Sequence, residues 1–150
     1  ILEDDFWFIY SVAETLESLH NSIISLPLNW DILFLGANFH DSNGFPIEPF
    51  SENLIKVNSS YALHSVCFSR AGMEKFLNSF NGRQDFEDKI LNHFGAIDVF
   101  FAVDFLRRNN CFIGKKMLCG QHADTSDIEG WYANYTPSLV SRFNYFTSLI

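Results

Sequence analysis

Three consecutive acidic residues, Glu3, Asp4 and Asp5, follow two aliphatic residues near the start of the sequence. The aliphatic pair predicts a buried strand, and ligands of α/β enzymes bind outside the carboxyl ends of such strands. Carboxylate oxygens held close together suit Mn²⁺ or Mg²⁺, above all when substrate phosphates complete the coordination sphere. Adjacent carboxylates also repel one another unless a cation lies between them. The pattern predicts a divalent-metal site, and the alternative is a solvated acidic turn.

Asp98 is a second candidate, because it directly precedes an apolar helical segment over residues 99–108. A carboxylate within hydrogen-bond reach of a hydroxyl group can act as its general base. An Asp just before an apolar helix is also typical of a helix N-cap. Both interpretations of Asp98 remain open, and one residue can do both.

A polar loop over residues 121–128 follows a predicted strand over residues 111–119. Gln121, Ser126 and Asp127 carry groups that hydrogen-bond hydroxyls, and a polar cluster after a strand is well placed to do so. His122 is of a residue type that often binds Mn²⁺-like metals. The alternatives are a solvent-exposed histidine and an aspartate that caps a turn.

The elements that would position these residues alternate between strand and helix. Apolar spacing predicts a helix over residues 6–25, and a continuous apolar run predicts a buried strand over residues 30–36. Strands are predicted over residues 54–57 and 61–68, and helices after Ser69 as N-cap and over residues 85–92. A long polar loop separates residues 36 and 54. Alternation of this kind is typical of the α/β class.

Composition narrows the function classes. A chain of 150 residues fits one domain, and its net charge of -8 argues against a nonspecific nucleic-acid binder. No apolar run approaches 18 residues, so we expect no membrane segment and no signal peptide within the sequence. The three cysteines show no metal-binding spacing and are expected to be buried free thiols.

Four stretches, taken in order, resemble glycosyltransferase family 25, which contains lipopolysaccharide-type sugar transferases and procollagen galactosyltransferases. Leu2-Glu3-Asp4-Asp5 is similar to the acidic signature of the family, and Trp30-Asp31-Ile32-Leu33-Phe34-Leu35-Gly36 to its Trp-Asp strand. Phe68-Ser69-Arg70-Ala71-Gly72 resembles its Ser-x-x-Gly helix start. Ile97-Asp98, followed by Gln121 and Ser126-Asp127-Ile128, resembles its last two signatures. The resemblance covers roughly residues 1–130.

This resemblance implies a GT-A-like nucleotide-diphospho-sugar transferase fold, with a mixed sheet flanked by helices. Since the sequence opens inside a predicted strand without an initiator Met, we interpret residues 1–150 as the C-terminal portion of a single domain that lacks its N-terminal nucleotide-binding strands. The sequence departs from the family pattern at Ser65-Val66, at Met73 and at residues 117–120. These departures concern the acceptor pocket more than the metal chemistry.

The resemblance also implies roles. Asp5 would bind Mn²⁺ (or Mg²⁺) directly, with Glu3 on the same side of an extended chain and His122 as a further ligand. Asp4, pointing the other way, would bind ribose hydroxyls. Asp98 would be the general base. Gln121, Ser126 and Asp127 would contact the donor sugar or the acceptor.

The predicted activity is metal-dependent, inverting transfer of a hexose from a nucleotide-diphosphate sugar to a hydroxyl of a glycan, lipopolysaccharide or protein. The predicted partners are this donor and acceptor, with no nucleic acid. The alternative is a non-catalytic relative that uses the same scaffold for binding. The compartment would be the cytoplasm in a bacterial or viral setting and the ER or Golgi lumen in a eukaryotic one.

Overall fold

The computed structural model describes residues 1–42, 44–125 and 132–150. The elements follow one another along the chain, with two of the helices continuing into differently wound turns. They are β1 (Phe6–Phe8), α1 (Val12–Ile24), β2 (Ile32–Phe34), β3 (Ile47–Pro49), β4 (Leu54–Val57), β5 (Val66–Phe68), α2 (Arg70–Leu77), α3 (Arg83–Glu87, then π-helical turns over Asp88–Phe94), α4 (Ile97–Phe100, then π-helical over Phe101–Phe105 and 3₁₀ over Leu106–Arg108), β6 (Cys111–Gly114), β7 (Cys119–Gln121), β8 (Asp124–Thr125), β9 (Tyr132–Ala133) and α5 (Thr136–Thr147).

The central sheet has five strands in the order β3-β4-β6-β2-β5. β2 and β6 are parallel, and the other neighbours are antiparallel. Side chains of β2 alternate between two apolar clusters: Ile32 and Phe34 belong to the main core, while Leu33 packs in a smaller cluster with Leu19 of α1. Covering on both faces explains the continuous apolar run. The prediction of an α/β fold with a mixed sheet flanked by helices is confirmed.

Residues 1–3 run along the outer edge of this sheet beside β5. The amide of Glu3 donates to the carbonyl of His64 at 2.9 Å, and the amide of Val66 donates to the carbonyl of Ile1 at 3.0 Å. The chain then turns at Asp4 and Asp5. The expected extended chain through all three acids, with Glu3 and Asp5 on one side, is therefore wrong.

The predicted helix over residues 6–25 begins too early. Phe6–Phe8 forms β1, which pairs antiparallel with β7, and α1 starts only at Val12. Ser11 and Glu14 form a capping box at this start, so local capping chemistry sets the boundary. The aromatic run itself joins a two-stranded sheet outside the central one.

Three other sequence-based expectations need correction. The strand predicted over residues 61–68 is confined to Val66–Phe68, and the one predicted over 111–119 is two strands, β6 and β7, in different sheets. The C-terminal helix α5 was not predicted, although Leu139, Phe143 and Phe146 form its buried stripe. Cys67 is exposed, whereas the other two thiols are free and buried as expected. Across the described residues, no helix combines the length and apolar character needed to cross a membrane.

Asp31 joins three elements of the sheet layer. Its side chain is buried, and its Oδ2 accepts from Lys75 Nζ at 2.7 Å and from the amide of Asn110 at 2.9 Å. Its carbonyl oxygen accepts from the amide of Ser69, the N-cap of α2, at 2.9 Å. A side chain at Gly72 would collide with this carbonyl. We call these five residues the Asp31 junction; it connects the second and third of the four stretches.

Candidate functional site

The acids at the start of the chain lie on the turn between the sheet edge and β1. Asp5 is half-buried, and its Oδ1 is buried without a hydrogen-bond partner. Its Oδ2 accepts from Gln121 Nε2 at 3.3 Å, and its carbonyl oxygen accepts from the amide of His122 at 2.7 Å. An unpartnered carboxylate oxygen that is removed from water is costly unless a ligand or water satisfies it.

Asp98 reaches the same place from a distant part of the chain. The pKa of Glu3 is raised above its ordinary value, first because the surrounding chain partly buries its carboxyl group and then because Asp5, Asp98 and Asp4 repel its charge, in that order. We call Glu3, Asp4, Asp5 and Asp98 the acidic cluster. It combines the turn after the sheet edge with the first turn of α4.

The cap interpretation of Asp98 is wrong. The N-cap residue of α4 is Ala96, and Asp98 is the second helical residue. Its Oδ1 accepts from the amide of Val99 at 2.8 Å. A carboxylate in this first turn interacts favourably with the helix dipole, which is compatible with holding it ionised.

His64 lies behind Asp5 and is completely buried. Its Nε2 is 3.5 Å from the carbonyl oxygen of Cys119, and its Nδ1 has no hydrogen-bond partner. Burial lowers the pKa of this imidazole, and the Cys119 carbonyl and Asp5 oppose that shift. A side chain at Gly36 would collide with the His64 ring, so glycine is required where the chain leaves β2. Sequence reasoning did not place His64 beside the acids.

Thr136 at the start of α5 holds Gln121 in position. Its Oγ1 accepts from the amide of Gln121 at 2.9 Å and donates to the carbonyl oxygen of Gln121 at 2.6 Å. Trp7 Nε1 donates to the same Thr136 hydroxyl at 3.3 Å. The ring of His122 stacks on Trp7 with centroids 5.9 Å apart. Thr136 was missed by sequence reasoning, although a Thr-Pro pair is typical of a helix start.

The structure thus brings together Glu3, Asp4, Asp5, Asp98 and Gln121, and joins His122 to Asp5 through its main chain. Ser126 and Asp127 lie outside the described residues. Two surface cavities, of about 280 and 300 Å³, have no residue of the acidic cluster in their linings.

The residues present fit a hard divalent cation. Within residues 1–42, 44–125 and 132–150, no three His, Cys, Asp or Glu side chains converge to hold a metal ion by themselves. Mg²⁺ and similar ions keep several waters and need only one or two carboxylates when substrate phosphates supply the rest. The unpartnered Oδ1 of Asp5 and the neighbouring carboxylate of Glu3 meet that requirement.

Comparison of the chain with protein-family models, with curated proteins and with solved structures finds no match in any of the three.

Proposed function

We propose that the chain is part of a metal-dependent glycosyltransferase of the family 25 type, with a GT-A-like fold, that transfers a hexose from a nucleotide-diphosphate sugar to a hydroxyl acceptor with inversion. The observation that carries this proposal is the half-buried Asp5, whose Oδ1 lacks a partner while three other carboxylates lie close by. A bound Mn²⁺ or Mg²⁺ would stabilise the leaving diphosphate as a Lewis acid.

The side chains of the acidic cluster divide the work. Asp5 is the direct ligand, and Glu3 completes the ion's coordination directly or through water. Asp4, exposed on the turn, is available to ribose hydroxyls. Asp98 removes the proton from the acceptor hydroxyl, a step that general bases accelerate by about 10²–10⁴-fold. Gln121 orients Asp5 through its amide and is itself held by Thr136.

Two further features support the proposal. Asp98 lies within electrostatic range of Glu3, which is where a base must be if donor and acceptor meet above the metal. The four stretches that resemble the family occur in the family's order. Of these, the Trp-Asp strand and the Ser-x-x-Gly helix start meet in the Asp31 junction, so they serve the fold, and the acidic stretch and Ile97-Asp98 serve the chemistry.

Calorimetry on the protein made from its complete coding sequence tests the metal and nucleotide functions. We expect UDP or GDP to bind only with Mn²⁺, and Asp5→Asn to weaken that binding about tenfold or more, because a charge-assisted contact is lost. Glu52→Gln removes an exposed carboxylate elsewhere and is the control. Binding that ignores Mn²⁺, or that falls equally in both variants, would refute the proposal.

A transfer assay on Asp98→Asn then separates catalysis from binding alone. A rate reduced by about 10²-fold or more, with Mn²⁺-dependent nucleotide affinity unchanged, is expected of a general base. Metal-dependent nucleotide binding without transfer to any acceptor, in both the wild type and Asp98→Asn, would support the non-catalytic alternative.

A further inference from the structure

A cavity of about 280 Å³ lies at the opposite edge of the central sheet from the acidic cluster. It is lined by Phe45, Glu48, Lys56, Asn58, Ser59 and Arg107. β3 is the outer strand at this edge, whereas residues 1–3 run beside β5 at the other. The cavity is therefore separate from the proposed transferase site, and a ligand bound in it would be independent of transferase activity.

The sheet builds two walls of this cavity. Glu48 of β3 and Lys56 of β4 are directly opposite each other in the strand register, so their side chains lie on one face. The carbonyl oxygen of Pro46 accepts from the amides of Asn58 at 2.7 Å and Ser59 at 3.2 Å. These bonds hold the segment after β4 against the segment before β3.

The polar side chains leave one cation without a carboxylate partner. Asn58 Nδ2 donates to Glu48 Oε1 at 2.7 Å, which ties up one oxygen of this carboxylate. Among the residues that the structure describes, no carboxylate lies within 4 Å of Lys56 Nζ. Arg107, at the end of the helical segment that follows α4, adds a second positive charge to the lining.

Two consecutive buried serines behave differently at this place. Ser60 is fully used by the fold, since its Oγ accepts from the amide of Asn38 at 3.1 Å and donates to the carbonyl of Ala62 at 3.4 Å. Ser59 is 1% exposed, and its Oγ has no hydrogen-bond partner. A buried hydroxyl in a polar cavity lining without a protein partner indicates a ligand or an ordered water.

The lining matches one kind of ligand. Two cations against one partly engaged carboxylate make this a positive place on a chain of net charge -8, which repels anions from most of its surface. Lysine and arginine are the usual side chains for phosphate. Phe45, 47% exposed and braced by an edge contact to Phe146, offers an apolar face, and the second oxygen of Glu48 can accept from a ligand hydroxyl.

We propose that this cavity binds a small phosphate ester of a polyol or monosaccharide. Lys56 and Arg107 hold the phosphate, Ser59 donates its hydroxyl to a phosphate oxygen, and the polyol part lies between Phe45 and Glu48. The volume is just below the range of about 300–1,000 Å³ that is typical of drug-sized ligands, so a larger nucleotide does not fit.

Amide chemical shifts of the protein, measured in EDTA so that no divalent metal contributes, test this site with three probes. We expect saturable shifts at Phe45, Lys56, Asn58 and Ser59 with glucose 1-phosphate, weaker ones with inorganic phosphate and none with glucose. Lys56→Met should lower the affinity for glucose 1-phosphate about tenfold, and Ser59→Ala about fivefold, as expected for a charged and a neutral hydrogen bond.

Lys115→Met, which removes an exposed positive charge just after β6, is the matched control and should leave the affinity unchanged. Lys56 belongs to none of the apolar clusters, so its replacement leaves the core intact. Three results would overturn the proposal. They are the absence of saturable shifts with glucose 1-phosphate, an equal loss of affinity in Lys56→Met and Lys115→Met, and binding of inorganic phosphate as tight as that of the ester.

Discussion

The Asp31 junction and the acidic cluster both contain a carboxylate with one buried oxygen that lacks a hydrogen-bond partner, Oδ1 of Asp31 and Oδ1 of Asp5. At the junction the other oxygen of Asp31 binds a cation, Lys75, and a main-chain amide. At the cluster the described residues offer Asp5 no lysine or arginine within 4 Å, only the amide of Gln121. The surrounding charges are further carboxylates.

The difference shows what each region needs. A buried carboxylate is stable when a cation and hydrogen bonds compensate for its lost hydration. The junction carries its own cation and is complete within the chain. The acidic cluster is balanced only when positive charge comes from outside, which is what a metal-diphosphate site requires. An aspartate in a family-like stretch can therefore serve folding or chemistry, and its neighbours decide which.

The largest expected effect is at the junction. Lys75→Met leaves the Asp31 carboxylate buried without its cation, which typically costs about 3–5 kcal/mol of unfolding free energy. Urea denaturation measures this loss, and Lys115→Met, which removes an exposed lysine, should change stability by less than about 0.5 kcal/mol. A loss below about 1 kcal/mol in Lys75→Met would mean that the two regions do not differ in how they balance charge.

Local chemistry made the junction partly predictable from the sequence. The strand around Ile32 and the N-cap Ser69 follow from apolar runs and capping rules that operate over a few residues. The contact of Gly72 with the Asp31 carbonyl joins residues about forty positions apart and could not be derived from spacing. Pairwise contacts at such separations depend on how the elements pack.

The acidic cluster was predictable in its residue types but not in its geometry. Glu3 and Asp5 were identified by charge and resemblance, yet the turn that they form depends on pairing of Phe6–Phe8 with residues 119–121. That pairing overrides the helical apolar spacing of the same segment. The positions of Thr136 and His64 around Asp5 likewise follow from tertiary contacts.

His64 gives a pH-dependent test of the cluster side. Because burial lowers the pKa of His64, the folded state binds fewer protons here than the unfolded state below about pH 6.5. Stability should therefore fall as the pH drops through and below that value. His64→Gln should reduce this acid-side slope in urea denaturation, whereas His20→Gln, at an exposed position of α1, should not. Equal slopes in wild type and His64→Gln would contradict burial of a neutral imidazole beside Asp5.

The smallest effect, and the sharpest contrast, concerns Glu3. Its raised pKa means that the folded state holds this proton more tightly than the unfolded state, so stability is lost as the pH rises from about 4.5 through the raised value. At pH 7 without metal, Glu3→Gln should therefore stabilise the protein slightly, by less than about 1 kcal/mol because water screens this partly exposed carboxylate. The gain should disappear in acid, and Glu52→Gln should show no such gain.

Addition of Mn²⁺ should reverse the order of wild type and Glu3→Gln. A ligand that binds only the folded state stabilises it in proportion to its affinity, so wild type should gain more than Glu3→Gln in thermal unfolding. Lys75→Met, with its cluster intact, should gain as much from Mn²⁺ as wild type does, because the junction takes no external cation. A Glu3→Gln variant that loses stability at pH 7 without metal, or gains as much from Mn²⁺ as wild type, would show that repulsion among the four carboxylates does not await a cation.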